Sequence, residues 1–465
     1  MEKQRTIQHS VTIEGVGLHT GVSVILTFKP APVNHGYKFC RVDLEDHPIL
    51  SADVSRVVST QRGTTIQVDD AQISTIEHVL SALSGLGIDN VLMELDGPEI
   101  PILDGSASPF IKVLREAGIE NQEEEREFFI VEEPIAYKDD ISGSEIIALP
   151  YDGFEVTAMI DFNSDVLGQQ YASFNMDSDY EREIAPCRTF VFLHELEYLF
   201  DQNLIKGGTL DNAIVIADRP VSQVELDRLA EKLDKPGISI DGHGVLNTQK
   251  LLFKNEPARH KLLDIIGDIA LLGSPIKGRI MATKPGHTAN VEFTKLLKKR
   301  LLEQRKLKGK PVYDPDKEPI YDVTQITQRL PHRYPFLLVD KIIEISDRHV
   351  VGVKNVTFNE HYFQGHFPGN PVMPGVLQIE AMAQTGGLLV LSTVEDPGNW
   401  DTYFLKIESA KFKHKVVPGD TVVFKMELLA PIRRGICQMQ GTAYVGNKIV
   451  SEAELTAQII KRPQQ

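Results

Sequence analysis

Between Val11 and Phe28 apolar and polar residues alternate, broken by glycines, which predicts strands and turns. Over "STIEHVLSALSGLGID" (74–89) the spacing becomes helical and the stretch closes in glycines. The proline- and glycine-rich loop "DGPEIPILDGSASPF" (96–110) precedes another helix ending near Gly118, and "NQEEEREFF" (121–129) is a charged break. A second strand-rich segment opens at Phe128. Within it "FEVTAMIDF" (154–162) reads as a strand and "TFVFLHELEYLFDQ" (189–202) as a helical stretch. A further helix starts near Pro257, a favoured first-turn residue. The pattern predicts two α+β halves, residues 1–126 and 127–305, each a two-layer α+β sandwich, with no repeat visible between them in the sequence.

From Lys295 the run "KLLKKRLLEQRKLKGK" is strongly basic, and "PVYDPDKEP" (311–319) is polar with three prolines. They read as a terminal helix with a solvated face and then a linker, residues 306–319. After residue 320 the pattern changes. "PFLLVDKIIEIS" reads as a strand, "PGVLQIEAMAQTGGLLVLS" as one apolar helix, and "DTVVFKMELLA", "GICQMQGTAYVG" and "KIVSEAELTAQII" as alternating strands. A long buried helix beside antiparallel strands predicts a sheet wrapped around a helix, a domain of residues 320–465.

Composition narrows the chemistry. The net charge of −16 and pI near 5.4 exclude a general nucleic-acid binder. An anionic substrate remains open, because a site can be basic inside an acidic protein. Three cysteines, an odd count with no CxxC, fit a reduced, cytoplasmic protein without a disulfide framework. The N-terminus has no apolar signal core, and no apolar run is long enough for a transmembrane segment.

"ARHKLLDIIGD" (258–268) sets His260, Asp264 and Asp268 on one helical stripe. A catalytic zinc takes three His or carboxylate ligands and keeps a position for water. His260 and Asp264 supply two, and "STIEHVL" offers His78 with Glu77 beside it. Each has a plainer explanation. His260 alone could be a packed histidine, the aspartates a solvent stripe, and "STIE" a capping box with Ser74 as N-cap and Glu77 at N3. A zinc peptidase is disfavoured by the absence of HExxH. A nucleotide-binding module is disfavoured because "GVGLHTG" (15–21) is not a GxGxxG turn and "GSPIKGR" (273–279) lacks GK[ST].

"GVGLHTG", "STIEHVLSALSGLGIDN", "EIPILDGSASPF", "RTF" (188–190), "GGTLDNAIV" (207–215), "RHKLLDIIGD" and "KPGHTAN" (284–290) stand in one order over residues 1–305. In this they resemble the zinc-dependent UDP-3-O-acyl-N-acetylglucosamine deacetylases of lipid A synthesis. The resemblance implies one zinc per chain on His78, His260 and Asp264. It implies Glu77 as general base, and His287 as the group that stabilises the oxyanion and protonates the leaving amine. It further implies Asp268 as the carboxylate orienting that histidine, and Thr189 as an oxyanion donor. Lys261 would serve the nucleotide end and Phe162 would lie against the uracil, or be a strand core residue. Leu18, Phe190 and Phe192 would line an acyl passage, or be core. "VVSTQRGTT" (57–65) departs from the family pattern at the acyl mouth.

In the last domain, "GHFPGNPVMPG" (365–375) is a stiff loop presenting His366, and Glu380 lies one turn inside the apolar helix that follows. A buried carboxylate is costly unless paired or functional. Glu380 and Gln384, at i and i+4, could also form a narrow wet stripe. His and Glu in a dry pocket suit β-elimination. One removes the proton α to a carbonyl and the other protonates the leaving hydroxyl. The helix N-terminus at Gly375 can polarise a thioester carbonyl. "LPHRYPFLLVD" (330–340), "GHFPGNPVMPGVLQIEAMAQTGG" and "KFKHKVVPGD" (411–420) resemble the hotdog-fold (3R)-hydroxyacyl-acyl-carrier-protein dehydratases. That implies an acyl carrier protein as partner. It also implies a homo-oligomer, a dimer or trimer of dimers, in which histidine and glutamate meet across the dimer interface. The alternative is an active deacetylase carrying a non-catalytic, carrier-protein-binding and oligomerising domain.

Overall fold

The computed structural model describes residues 2–175, 178–196, 205–219, 221–232, 239–240, 244–246 and 250–463. The chain divides into two compact units, Met1–Leu302 and Glu303–Gln465.

The first unit holds two sheets of related build. The first comprises β1 (Val11–Val16), β2 (Ser23–Pro30), β3 (Tyr37–Arg41), β4 (Ile49–Ser51) and β5 (Val91–Leu95), in the order β1-β2-β5-β3-β4. In β2 the alternation turns Val24, Leu26 and Phe28 inward. The second sheet comprises β6 (Ile135–Asp139), β7 (Ser144–Leu149), β8 (Phe154–Asp161), β9 (Gln169–Asn175) and β10 (Ile276–Thr283), in the order β6-β7-β10-β8-β9, with the short strand Phe129–Ile130 added in parallel at the start of β10. In each sheet the last strand is inserted centrally, antiparallel to the second and parallel to the third. The repeat absent from the sequence is therefore present in the topology.

Helices α1 (Glu77–Leu86) and α2 (Ser108–Glu116) flank β5, and α3 (Glu256–Ala270) and α4 (His287–Lys306) flank β10. α1 and α3 pack against each other. Gly267 sits at that contact, where a Cβ would lie 2.0 Å from the carbonyl oxygen of Glu77. The capping box does not form. The N-cap of α1 is Ile76, the Ser74 hydroxyl accepts from Thr65 Oγ1, and the Glu77 carboxylate accepts from the Thr64 N–H.

The stretch 189–202 is not one helix. Phe190–Phe192 is a strand parallel to Ile214–Ile216, and helix begins only at 193–196. Its aromatic and branched residues find a cross-strand partner, which outweighs a weak helical pattern; the part 197–204 lies outside the described residues. The basic run is mostly the exposed face of α4, with Leu297 and Leu301 buried beneath it.

The second unit is a six-stranded antiparallel sheet facing a long helix. Its strands are β11 (Lys341–Ile345), β12 (His349–Asn355), β13 (Trp400–Phe412), β14 (Thr421–Leu428), β15 (Ile436–Val445) and β16 (Lys448–Lys461), in the order β11-β12-β14-β15-β16-β13. Helix α5 (Gly375–Leu391) packs on β12, β14, β15 and β16. Gly386 brings it close to the sheet, since a Cβ there would lie 2.6 Å from Met439 Sδ. The strand expected over 335–346 shrinks to Lys341–Ile345. Before it, the Gln384 side chain accepts from the Leu338 N–H and donates to the Phe336 carbonyl, replacing ladder bonds. Tyr313, in the expected linker, packs with Leu307 against Val351, Val423 and Tyr444. No described helix is long and apolar enough to cross a membrane.

Candidate active sites

Helix α3 carries His260 and Asp264 one turn apart, and α1 opens on Glu77 and His78. Where the helices meet, ligand atoms of His78, His260 and Asp264 lie within 4.8 Å of one another, all buried. His260 Nε2 is 3.4 Å and His78 Nε2 3.8 Å from Asp264 Oδ1. The Nδ1 of His260 is 3.0 Å from the Cys187 carbonyl, which directs its other nitrogen to the cluster. Lys261 Nζ donates to Asp264 Oδ2 at 2.8 Å, while Oδ1 is buried with no hydrogen-bond partner. That orphaned oxygen, faced by two imidazoles, fits a cation. Burial, then the neighbouring His260, pushes His78 down to about 3 and so keeps it neutral. Burial opposes the Asp264 carboxylate, but Lys261 overrides it and holds the group below the usual carboxylate range.

Beside the cluster lies a second pair of buried ionisable groups, Glu77 and His287. Burial raises the Glu77 carboxyl to about 7, with Asp268 and Asp264 adding and His287 subtracting. His287, at the start of α4, directs Nδ1 to Asp268 Oδ2 at 2.9 Å. Its Nε2 lies 4.0 Å from Glu77 Oε1 and 3.8 Å from Asp264 Oδ2. Burial works against the imidazolium, but Asp268 and Glu77 outweigh it and raise the pKa to about 9. Asp268 also accepts from Thr64 Oγ1 at 2.6 Å and Asn290 Nδ2 at 2.9 Å. Sequence reading missed Thr64, Asn290 and Gly267. It also missed Glu99, a fully buried carboxylate that accepts from the N–H groups of His19 and Thr20 and from the hydroxyls of Thr20 and Thr75. Glu99 thereby ties the loop of Leu18 to the turn before Glu77; no spacing in the sequence signals it.

A cavity of about 200 Å³ joins these groups. Thr189, Lys261 and His287 contribute to its polar wall, and Leu18, Phe190 and Leu210 to its apolar wall. Lys261 Nζ is 5.8 Å from the centre of the Phe190 ring. Phe162 and Phe192 do not line the cavity. Phe162 is 40% exposed and meets Phe190 and Phe192 edge-on at 5.5 and 5.6 Å, while Phe192 is buried with Ile214, Ile216 and Val245.

In the second unit a cavity of about 170 Å³ runs along α5, lined by Glu380, Gln384, Gly386, Met426, Met439 and His332 among others. Gln384 Nε2 donates to Glu380 Oε1 at 2.9 Å, and His332 Nε2 is 3.4 Å from the same oxygen. His332 lies in "LPHRYPFLLVD" but was not singled out from the sequence. His366 Nδ1 is 2.8 Å from the Val372 carbonyl, and His366 does not line the cavity of its own chain. Gly375 opens α5 beneath the Phe412 ring, whose nearest carbon would be 2.7 Å from an added Cβ.

Residues 4–233 and 231–299 match the family model described as LpxC, UDP-3-O-acyl N-acetylglycosamine deacetylase, and residues 330–454 match the FabA-like domain. Two relatives named bifunctional enzyme LpxC/FabZ extend over the whole length. The one from Bacteroides thetaiotaomicron is 50% identical over 461 residues, 99% of this chain and 100% of the relative. The one from Chlorobaculum tepidum is 47% identical, covering 99% of each. The UDP-3-O-acyl-N-acetylglucosamine deacetylase of Mannheimia succiniciproducens is 39% identical over 69% of this chain and 96% of its own length.

Proposed function

The chain belongs to the bifunctional LpxC/FabZ enzymes, and we propose how its residues divide the two reactions. The first unit hydrolyses the N-acetyl group of UDP-3-O-(3-hydroxyacyl)-N-acetylglucosamine in lipid A synthesis. His78, His260 and Asp264 hold one zinc ion, which when bound acidifies a water and polarises the acetamide carbonyl. Glu77, with its carboxyl raised to about 7, takes the water's proton. His287, kept charged by Asp268, faces the developing oxyanion and gives its proton to the leaving amine. Thr189 donates to the same oxyanion from the cavity wall. Lys261 serves the nucleotide end. Phe162, with its exposed ring, lies against the uracil. Leu18 and Phe190 line the acyl passage, backed by Phe192.

The observation carrying this reading is Asp264 Oδ1, buried and without a hydrogen bond between two imidazoles. Elemental mass spectrometry on wild type and His78→Ala, paired with the deacetylation assay, tests it. Near-stoichiometric zinc and activity, both lost in a folded variant, are expected. A variant retaining metal and activity would overturn the assignment.

The second unit dehydrates (3R)-hydroxyacyl-acyl-carrier-protein to the trans-2-enoyl product in fatty acid synthesis. With Nδ1–H donated to Val372, His366 presents Nε2 as a base for the α proton, and Glu380 protonates the leaving hydroxyl. The N–H groups at Gly375 polarise the thioester carbonyl. Because His366 lies off the Glu380 cavity, a second copy of the chain supplies it. The outer edge of β13, with Tyr403, Leu405 and Ile407 exposed, supports pairing into a dimer, or three such dimers. Three free, buried cysteines support a cytoplasmic setting.

A further inference from the structure

We infer that Thr64 is a positioning residue that holds the two proton-handling groups of the first site in mutual register. The inference rests on the deacetylase reading. Thr64 is fully buried, directly ahead of the short strand Thr65–Val68. Its carbonyl accepts from the Ile76 N–H at 3.4 Å, which ties it to the N-cap of α1. Its own N–H donates to Glu77 Oε2 at 2.9 Å, and its hydroxyl donates to Asp268 Oδ1 at 2.6 Å. One residue therefore touches the base through its main chain and the acid's carboxylate through its side chain. No other described residue is recorded making both bonds.

The two bonds fix complementary atoms. With Oε2 of Glu77 tied to Thr64, Oε1 faces His287 Nε2 at 4.0 Å. With Oδ1 of Asp268 tied to the Thr64 hydroxyl, Oδ2 is left to His287 Nδ1 and Asn290 Nδ2. Three donors thus converge on one buried carboxylate and set its plane. The imidazole takes its aim from that plane.

During turnover Glu77 gains a proton from water and His287 gives one to the amine. The Asp268 carboxylate then faces a neutral ring. At that moment the Thr64 hydroxyl and the Asn290 amide remain as neutral donors to a buried charge. Removing the hydroxyl strands Oδ1 as an unsatisfied acceptor and lets the carboxylate turn. Substrate binding does not use this bond, so its loss should register in kcat and not in KM.

The test uses the full-length zinc-loaded enzyme with Thr64→Val, Thr64→Ser and Thr64→Ala. Valine keeps the shape and the N–H bond to Glu77, serine keeps the hydroxyl, and alanine has neither methyl nor hydroxyl. Steady-state deacetylation of the UDP-sugar substrate, zinc content and melting temperature are measured for each. Valine and alanine should lower kcat about tenfold or more, the rate equivalent of a hydrogen bond to a charged group, with KM and zinc content near wild type. Serine should restore kcat to within about threefold of wild type. Proton and nitrogen NMR of the metal-free protein should show the His287 ring signals moved in Thr64→Val and unmoved in Thr64→Ser.

Wild-type kcat in the valine or alanine variant, or a serine variant as slow as alanine, overturns the inference. If valine does not fold, the serine–alanine pair decides. If wild type fails to deacetylate the nucleotide sugar, the functional reading falls. The NMR comparison, which needs no substrate, then still shows whether Thr64 positions the His287 ring.

Discussion

Gly267 and Glu77 meet main chain to main chain where α1 packs on α3. An added Cβ would lie 2.0 Å from the Glu77 carbonyl oxygen, a backbone atom that cannot swing aside. Gly267→Ala must therefore force α1 and α3 apart, and with them His78 from His260 and Asp264. A loss of about 1–3 kcal/mol or more in stability is expected, as for other overpacked cores. Weaker zinc retention should accompany it. Calorimetry and metal analysis check both, and an alanine variant with unchanged melting and metal content would contradict the geometry.

His287 is the clearest pH handle of the metal-free protein. Burial opposes its charge, but Asp268 and Glu77 outweigh burial and raise its pKa to about 9. A histidine raised on folding contributes stability that is fully present below its unfolded pKa, about 6.5, and lost as pH rises through about 9. In metal-free protein the melting-temperature gap between wild type and Asp268→Asn should accordingly narrow between pH 6.5 and 9.5. NMR titration of the imidazole locates the midpoint, and a value near 6.5 in wild type would refute it.

The dehydratase site should be assembled from two copies. His366→Ala and Glu380→Gln should each be inactive in dehydration. Mixed after gentle dissociation, or co-expressed, they should regain activity, because a mixed dimer holds one site with both groups intact. If each chain were self-sufficient, the mixture would stay inactive. Deacetylation should be unaffected in both variants.

Gln384 ties Glu380 to the loop before β11. Its side chain serves the Phe336 carbonyl, the Leu338 N–H and the Glu380 carboxylate. Gln384→Leu strands buried polar groups, at a cost of about 1–3 kcal/mol each. The second unit should melt earlier and dehydration should fall, with deacetylation retained. Unchanged melting and rate would show the bridge to be dispensable.

What could be read from the sequence depended on whether the signal was periodic. His260, Asp264 and Asp268 repeat every four residues, so their shared stripe was visible, and the apolar run of α5 announced a buried helix. The residues themselves offer His78 with Glu77 as the missing ligand, and the resemblance joins them to that stripe, because a contact between helices leaves no local pattern. Thr64 and Gly267 act through backbone geometry, and Glu99 through a loop-to-loop bond, so no spacing exposes them. The local pattern around Phe190–Phe192 predicts helix, because the strand's partner, Ile214–Ile216, lies more than twenty residues away. Residues 335–340 have strand composition, yet a glutamine side chain satisfies their backbone instead.

The two largest sheets of the first unit share one five-strand order, and α1 and α3 occupy the same place in each, just before the inserted last strand. They have equal architecture and unequal chemistry. One copy contributes His78 and Glu77; the other contributes His260, Asp264, Asp268 and, from the helix after its last strand, His287. A centre built this way lies on the seam between two halves of like topology. Neither half alone carries the full set of groups, so a change that loosens the contact of α1 with α3 disturbs the centre without touching any of its side chains.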